Sequence, residues 1–192
     1  DAAKNHDMNV VYFVGGKPVA LAAPEREGRS YGLYDLIKPG QFNGILLAAD
    51  MGHGPSTDDI KNFCRVFAPT PIASFAIQAE GISSFMADNQ GGIRAIIRHL
   101  IEVHDYKRIA FIRGPQRQLE ADQRFEAYKQ ELQDHNILFD ARIVVEGNYS
   151  PESGRAAVRT LLDERGLRIQ AIAASNDRMA FGAIETLQQR GI

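Results

Sequence analysis

This sequence predicts an α/β architecture of two lobes, each a parallel sheet covered by helices. Three observations carry that expectation. Short continuous apolar runs recur along the chain, as in strands buried on both faces of a parallel sheet. Segments of helical periodicity alternate with these runs, the order that right-handed crossovers between parallel strands require. The series is interrupted once, at 87–92 (ADNQGG), after which a second series begins, so the lobes are placed at 1–87 and 88–192.

In order along the chain, residues 1–7 read as the tail of a helix, and 9–14 (NVVYFV) as a strand closing on Gly15-Gly16. A second strand is expected at 44–49 (GILLAA), followed by a turn-rich stretch at 52–56. A Ser-Thr-Asp cap signal opens a helix over 57–67, with Ile60, Phe63, Cys64 and Phe67 on one face. Asp58 and Asp59 at its start complement the helix dipole. Shorter strands are expected at 71–77 (PIASFAI) and 83–86.

In the second lobe, a helix over 92–104 gathers Ile93, Ile96, Ile97, Leu100 and Ile101. A strand at 108–112 (RIAFI) runs into Arg113-Gly114-Pro115. A long amphipathic helix over 120–135 places Phe125, Tyr128 and Leu132 on one side. Next come a strand at 143–146 (IVVE) and a helix over 151–164 with proline in its first turn. A strand at 170–174 and a helix over 177–190, closing on Gly191, complete the series.

Composition narrows the function. Hydrophobic residues make up 44% and charged residues 24%, ordinary for a folded chain. The net charge is −2, all of it in 1–87, so neither half carries the basic footprint of a nucleic-acid binder. A single cysteine, Cys64, rules out an internal disulfide framework or a thiolate zinc site. No stretch approaches the ~18 apolar residues of a membrane span, and DAAKNHDMN is not a signal peptide. A cytoplasmic protein that contacts neither nucleic acid nor membrane through this segment is expected.

Enzyme signatures are missing, and no catalytic residue is assigned. There is no phosphate-binding G-x-x-x-x-G-K-[ST], no G-x-G-x-x-G after a strand, and no G-x-S-x-G elbow. FVGG at 13–16 reads only as a strand end. His6, His53, His99, His104 and His135 lack zinc-ligand spacing. His99 and His104 are five apart, not on one helical face with an acid between them, so neither metal nor cofactor is expected.

The segment 85–192 is the most informative. It holds Asp88-Asn89 before Gly91-Gly92, His99-Leu100, and Tyr106-x-x-Ile109-Ala110-Phe111-Ile112-x-Gly114-Pro115. Arg124-x-x-Ala127-Tyr128 follows, then Gly147-x-Tyr149 with Gly154, then Asn176-Asp177 with Ala180, Gly182 and Ala183. In order and spacing these motifs resemble the lactose-repressor (LacI) family, which has the type I periplasmic-binding-protein fold of two Rossmann-like lobes. Ala127 and Asp105 stand where that family usually has glycine, and Ser74–Ile77 lacks an acidic residue often present there. The family's helix-turn-helix, opening strand and closing segment are absent, so a domain truncated at both ends is expected. The first half also resembles repressor-like sensory modules placed upstream of histidine kinase or diguanylate cyclase domains.

The resemblance implies a homodimer that holds a small polar effector, a sugar or related metabolite, in a cleft between the lobes. Closure would bias the dimer between two states through the ligand's differential affinity. Its counterpart residues nominate Arg124, whose guanidinium offers five fixed donors; the alternative is a surface arginine paired with Asp122 or Glu126. Asn176 could pair with sugar hydroxyls or cap its helix. Tyr149 could stack on a sugar face or pack as a loop tyrosine. Asp50, Gln118 and Phe75 are further cleft candidates, and Asp88 is expected to fix the hinge. Three readings follow: effector domain of a transcriptional regulator, sensor of a kinase or cyclase, and an enzyme on the same scaffold.

Overall fold

The computed structural model describes residues 2–13, 37–38, 40–48, 57–78 and 80–192. The chain divides into two compact units, Asp1–Ala87 and Asp88–Ile192.

In the first unit a short helix, α1 (Ala2–Asn5), precedes an irregular stretch through residue 13. The strand expected at 9–14 is not formed over 9–13, and Val14 lies outside the described residues. Val10, Val11 and Tyr12 are exposed, because an apolar run becomes a strand only with a hydrogen-bonded neighbour, and none pairs with it among the described residues. The sheet consists of β1 (Ile45–Ala48), β2 (Ile72–Phe75) and β3 (Ser83–Phe85), parallel and in that order. Helix α2 (Thr57–Phe67) connects β1 to β2 and buries Ile60, Phe63 and Phe67, one stripe at helical spacing. Phe63 and Phe67 pack with Ile37, Phe42, Ile45, Leu47 and Ile72. Burial pushes the Cys64 thiol up from its ordinary value. Strand β2 stops short of Ile77 because Ala76 takes a left-handed conformation, φ 59°.

The second unit contains a parallel sheet of order β5-β4-β6, formed by β5 (Val144–Glu146), β4 (Ile109–Arg113) and β6 (Ala171–Ala174). Helix α3 (Asn89–Glu102) precedes β4, and α4 (Leu119–Asp134) follows it. A 3-10 turn, Ala141–Ile143, takes up the first residue expected in β5. Helix α5 (Pro151–Arg159) continues into a π-helical turn, Thr160–Glu164, and α6 (Asp177–Gln189) closes the unit. Central strand β4 has helices on both faces. Ile109 and Phe111 pack with Ile93, Ile97, Tyr128 and Leu132 of α3 and α4, while Ile112 packs with Ala157, Val158, Met179 and Ala183 of α5 and α6.

Helix α3 begins three residues before the expected start. Asp88 Oδ1 accepts the Gly91 backbone N–H at 2.8 Å, so the cap lies inside the stretch read as a loop. Asp105, where the resembled family has glycine, sits outside any helix with φ 51°, a left-handed turn that aspartate tolerates. Helices α5 and α6 cross closely. A Cβ on Gly182 would lie 2.0 Å from the Pro151 carbonyl oxygen, so only glycine fits there.

A buried carboxylate joins α3 to α4. Glu131 is fully buried and meets Arg94 Nε and Arg98 Nε, each at 2.8 Å. His135 lies just beyond, its Nδ1 2.9 Å from the Glu131 backbone oxygen and its Nε2 3.1 Å from Glu102.

Candidate functional site

Ligand sites in open α/β sheets lie outside the carboxyl ends of the strands. In the second unit those ends carry Arg113, Gly114, Glu146, Gly147, Ser175 and Asn176, and polar side chains converge on them from α3 and α4. Arg124, one turn into α4, donates through Nε and Nη2 to Asn89 Oδ1, at 2.9 and 2.6 Å. Its Nη1 donates to the Ser175 carbonyl at 3.0 Å, and Glu120 Oε2 lies 3.5 Å away. The side chain is 14% exposed, so the guanidinium is fixed at the strand ends with one edge still reachable. The pairing with Asp122 or Glu126 does not occur. Asp122 accepts from Arg113 Nη2 at 2.7 Å, and Glu126 pairs with Lys129. Arg124 instead reaches Glu120, one helical turn back, and Asn89 on a different helix.

Asn176 fills the cap role. Its Oδ1 accepts the Met179 N–H at 3.0 Å, while its Nδ2 donates to the Tyr149 carbonyl at 3.2 Å. Tyr149 is buried, with φ 66°. Its ring packs in the β4–α5–α6 core and over Gly114, where a Cβ would come within 2.5 Å of the ring. Its hydroxyl donates to Gln118 Oε1, which places Gln118 in the same cluster. Burial pushes the Tyr149 phenol up, opposed by the neighbouring Arg124 charge. Asp88 caps α3 at the start of the second unit. Phe75 ends β2 in the first unit, exposed and in register with Phe85. Asp50 lies outside the described residues.

Arg124, Gln118, Tyr149 and Asn176 thus belong to one polar cluster. Sequence reading missed four of its members, Asn89, Ser175, Arg113 and Glu120. Asn89 orients Arg124 and also donates to Gln123 at 3.2 Å. Ser175 accepts the Gly114 N–H through its hydroxyl at 3.2 Å. Arg113 stacks over the Phe125 ring at 4.6 Å, and its buried Nε has no hydrogen-bond partner. Glu120 could have been found from its i,i+4 spacing to Arg124; Asn89, thirty-five positions away, had no local signal. The cluster provides fixed donors and acceptors suited to a polyhydroxylated or anionic small molecule. Among the described residues no group of three or more histidine, cysteine or acidic side chains is placed to hold a metal ion, and no helix is long and apolar enough to cross a membrane.

A family model described as a periplasmic binding protein-like domain matches residues 97–192, half of the chain. The chain belongs to that family. Among curated relatives of this periplasmic binding protein-like domain, the transcriptional regulator AscG of Escherichia coli (strain K12) is 37% identical over 87 residues, 45% of this chain and 26% of AscG. A LacI-family transcriptional regulator from Mycobacterium smegmatis superposes with a TM-score of 0.71 at 26% identity, covering 99% of this chain and 65% of that one. A complex of the transcriptional regulator CelR with cellobiose superposes with a TM-score of 0.62 at 29% identity, covering 79% of this chain and 45% of that one. The chain spans less than half the length of the curated relatives it matches. The two parallel sheets and the family agree with the α/β periplasmic-binding-protein-like fold read from the sequence.

Proposed function

We propose that this chain is the effector-binding domain of a LacI-type transcriptional regulator, and that a small sugar contacts the strand ends of its second unit. The arrangement of Arg124 carries the proposal. Three of its five N–H donors hold Asn89 and the Ser175 carbonyl, which fixes the guanidinium and leaves donors for a ligand oxygen. A preorganised planar donor costs little ordering on binding, which favours sugar hydroxyls over looser polar contacts. The CelR relative complexed with cellobiose supports a sugar as the ligand class. That the matched relatives are transcriptional regulators supports this output over the kinase or cyclase alternative. Dimerisation, action on DNA through another domain, cytoplasmic location and lack of catalysis belong to the same proposal.

The test is a thermal-shift screen of mono- and disaccharides, followed by calorimetric titration of the hits. A saturable sugar is expected, and Arg124→Ala should abolish its binding while the variant keeps its circular dichroism spectrum. Normal binding by folded Arg124→Ala would overturn the site assignment; a screen positive only for nucleosides or amino acids would overturn the sugar.

A further inference from the structure

We propose that His99 and His104 form a two-imidazole site for a divalent transition-metal ion, distinct from the effector cluster. Their spacing of five looks wrong for a shared helical face, but the helix ends between them. Val103 is the C-cap of α3, and the chain then turns so that His104 returns over the last helical turn. The two Nε2 atoms come to 3.2 Å from each other. Two nitrogens bound to one tetrahedral zinc at Zn–N of about 2.0–2.1 Å lie about 3.3–3.4 Å apart, and cis positions of an octahedron bring them closer. The observed separation falls between those geometries. The rings stand at 78° with centroids 5.0 Å apart, closer than two five-membered rings set head-on across that N···N line. At least one ring axis is therefore bent off that line, as binding of both rings to an ion lying beside it requires.

The position is accessible and held in place. Both histidines are exposed, and His104 stacks on Tyr106 at 5.3 Å, which fixes its orientation. Among the described residues no third histidine, cysteine or acid completes the set, so water fills the remaining positions and the site stays open. Neutral imidazole suits zinc, nickel and copper, and two such ligands select these over magnesium or calcium, which take oxygen.

Zinc chloride titrated into the chain by calorimetry tests the site, with long-range ¹H–¹⁵N spectra of the imidazoles recorded alongside. One ion per chain is expected, with the Nε2 resonances of both His99 and His104 shifting together. His99→Ala and His104→Ala should each weaken binding by at least the tenfold or so that even an outer-shell loss costs, while His6→Ala leaves it unchanged. Absence of saturable binding, or unchanged affinity in either pair variant, means the rings are only hydrogen-bonded and overturns the proposal. A stoichiometry of one ion per two chains overturns a site complete within one chain.

Discussion

The two units use the same strand–helix grammar but bury their sheets differently. In the second, the four apolar residues of β4 are fully buried and helices cover both faces. In the first, exposure alternates along the strands. Ile45, Leu47 and Ile72 pack on α2, while Leu46, Phe75 and Phe85 are 66, 54 and 63% exposed. Polar burial differs as well. The second unit takes Glu120 and Glu131 into its interior, each beside arginines, whereas Ser74 is the buried polar residue of the first among those described. Ser74 meets its needs locally, donating to the Ile77 carbonyl at 2.6 Å and lying 2.9 Å from the Ser84 hydroxyl. A strand covered on both faces concentrates stability in few side chains; a half-covered one spreads it thinly.

The sharpest way to break this contrast is Phe111→Ala. Phe111 is fully buried and stacks on Tyr128 at 4.7 Å, with Phe125 at 6.0 Å. Tyr128 is itself pinned by a buried hydrogen bond to the Ile109 carbonyl, and burial pushes its phenol up, so it has little freedom to fill a void. The lost transfer energy and the residual cavity together cost about 3–5 kcal/mol. Urea denaturation should register that loss as a lower midpoint; a change under about 1 kcal/mol would show that β4 is not the centre of the unit's stability.

The buried charges sharpen the contrast through pH. Hydrogen bonds to the Glu131 carbonyl and to Glu102 raise the His135 pKa above its ordinary value, helped by the Glu131 and Glu102 charges. Arg94 and Arg98 from α3 also face Glu131, and Asp134 pairs with Arg94. A raised folded-state pKa means that protonated His135 stabilises the fold. The contribution is complete below about 6.5, the unfolded value, and disappears as pH rises through the folded value. His135→Gln should therefore be less stable than the parent near pH 6 and converge with it on the alkaline side. Parallel stability profiles across that range would remove His135 from the account.

How much of this was readable beforehand follows the same division. The strand at β4 is an uninterrupted apolar run because both its faces are buried, and its neighbours follow from the alternation around it. The run at 9–13 is equally apolar yet forms no strand, since pairing depends on a neighbour that composition cannot supply. Gly91 and Gly92 read as a loop because glycine weakens helices, but the Asp88 cap draws both into α3. At the polar cluster, the position of Arg124 was legible from a motif. Its partner Asn89 and the carbonyl of Ser175 were not, because tertiary packing brings them from other elements. The approach of His99 to His104 was hidden for a related reason: helical periodicity says nothing about residues beyond a C-cap.

The smallest effect tests the other side of the contrast. Phe85 ends β3 and is 63% exposed, on the same sheet face as Phe75, its partner in register. Its ring has little apolar area to return to water, so Phe85→Ser should change stability by no more than about 0.5 kcal/mol, as surface substitutions do. A cross-strand aromatic pair contributes on that scale or somewhat more, which Phe75→Ser and the double variant would separate. Thermal melts at matched concentration measure all three. If Phe85→Ser instead costs as much as a core truncation, that face is covered in solution, and the first unit's sheet is buried on both sides like that of the second.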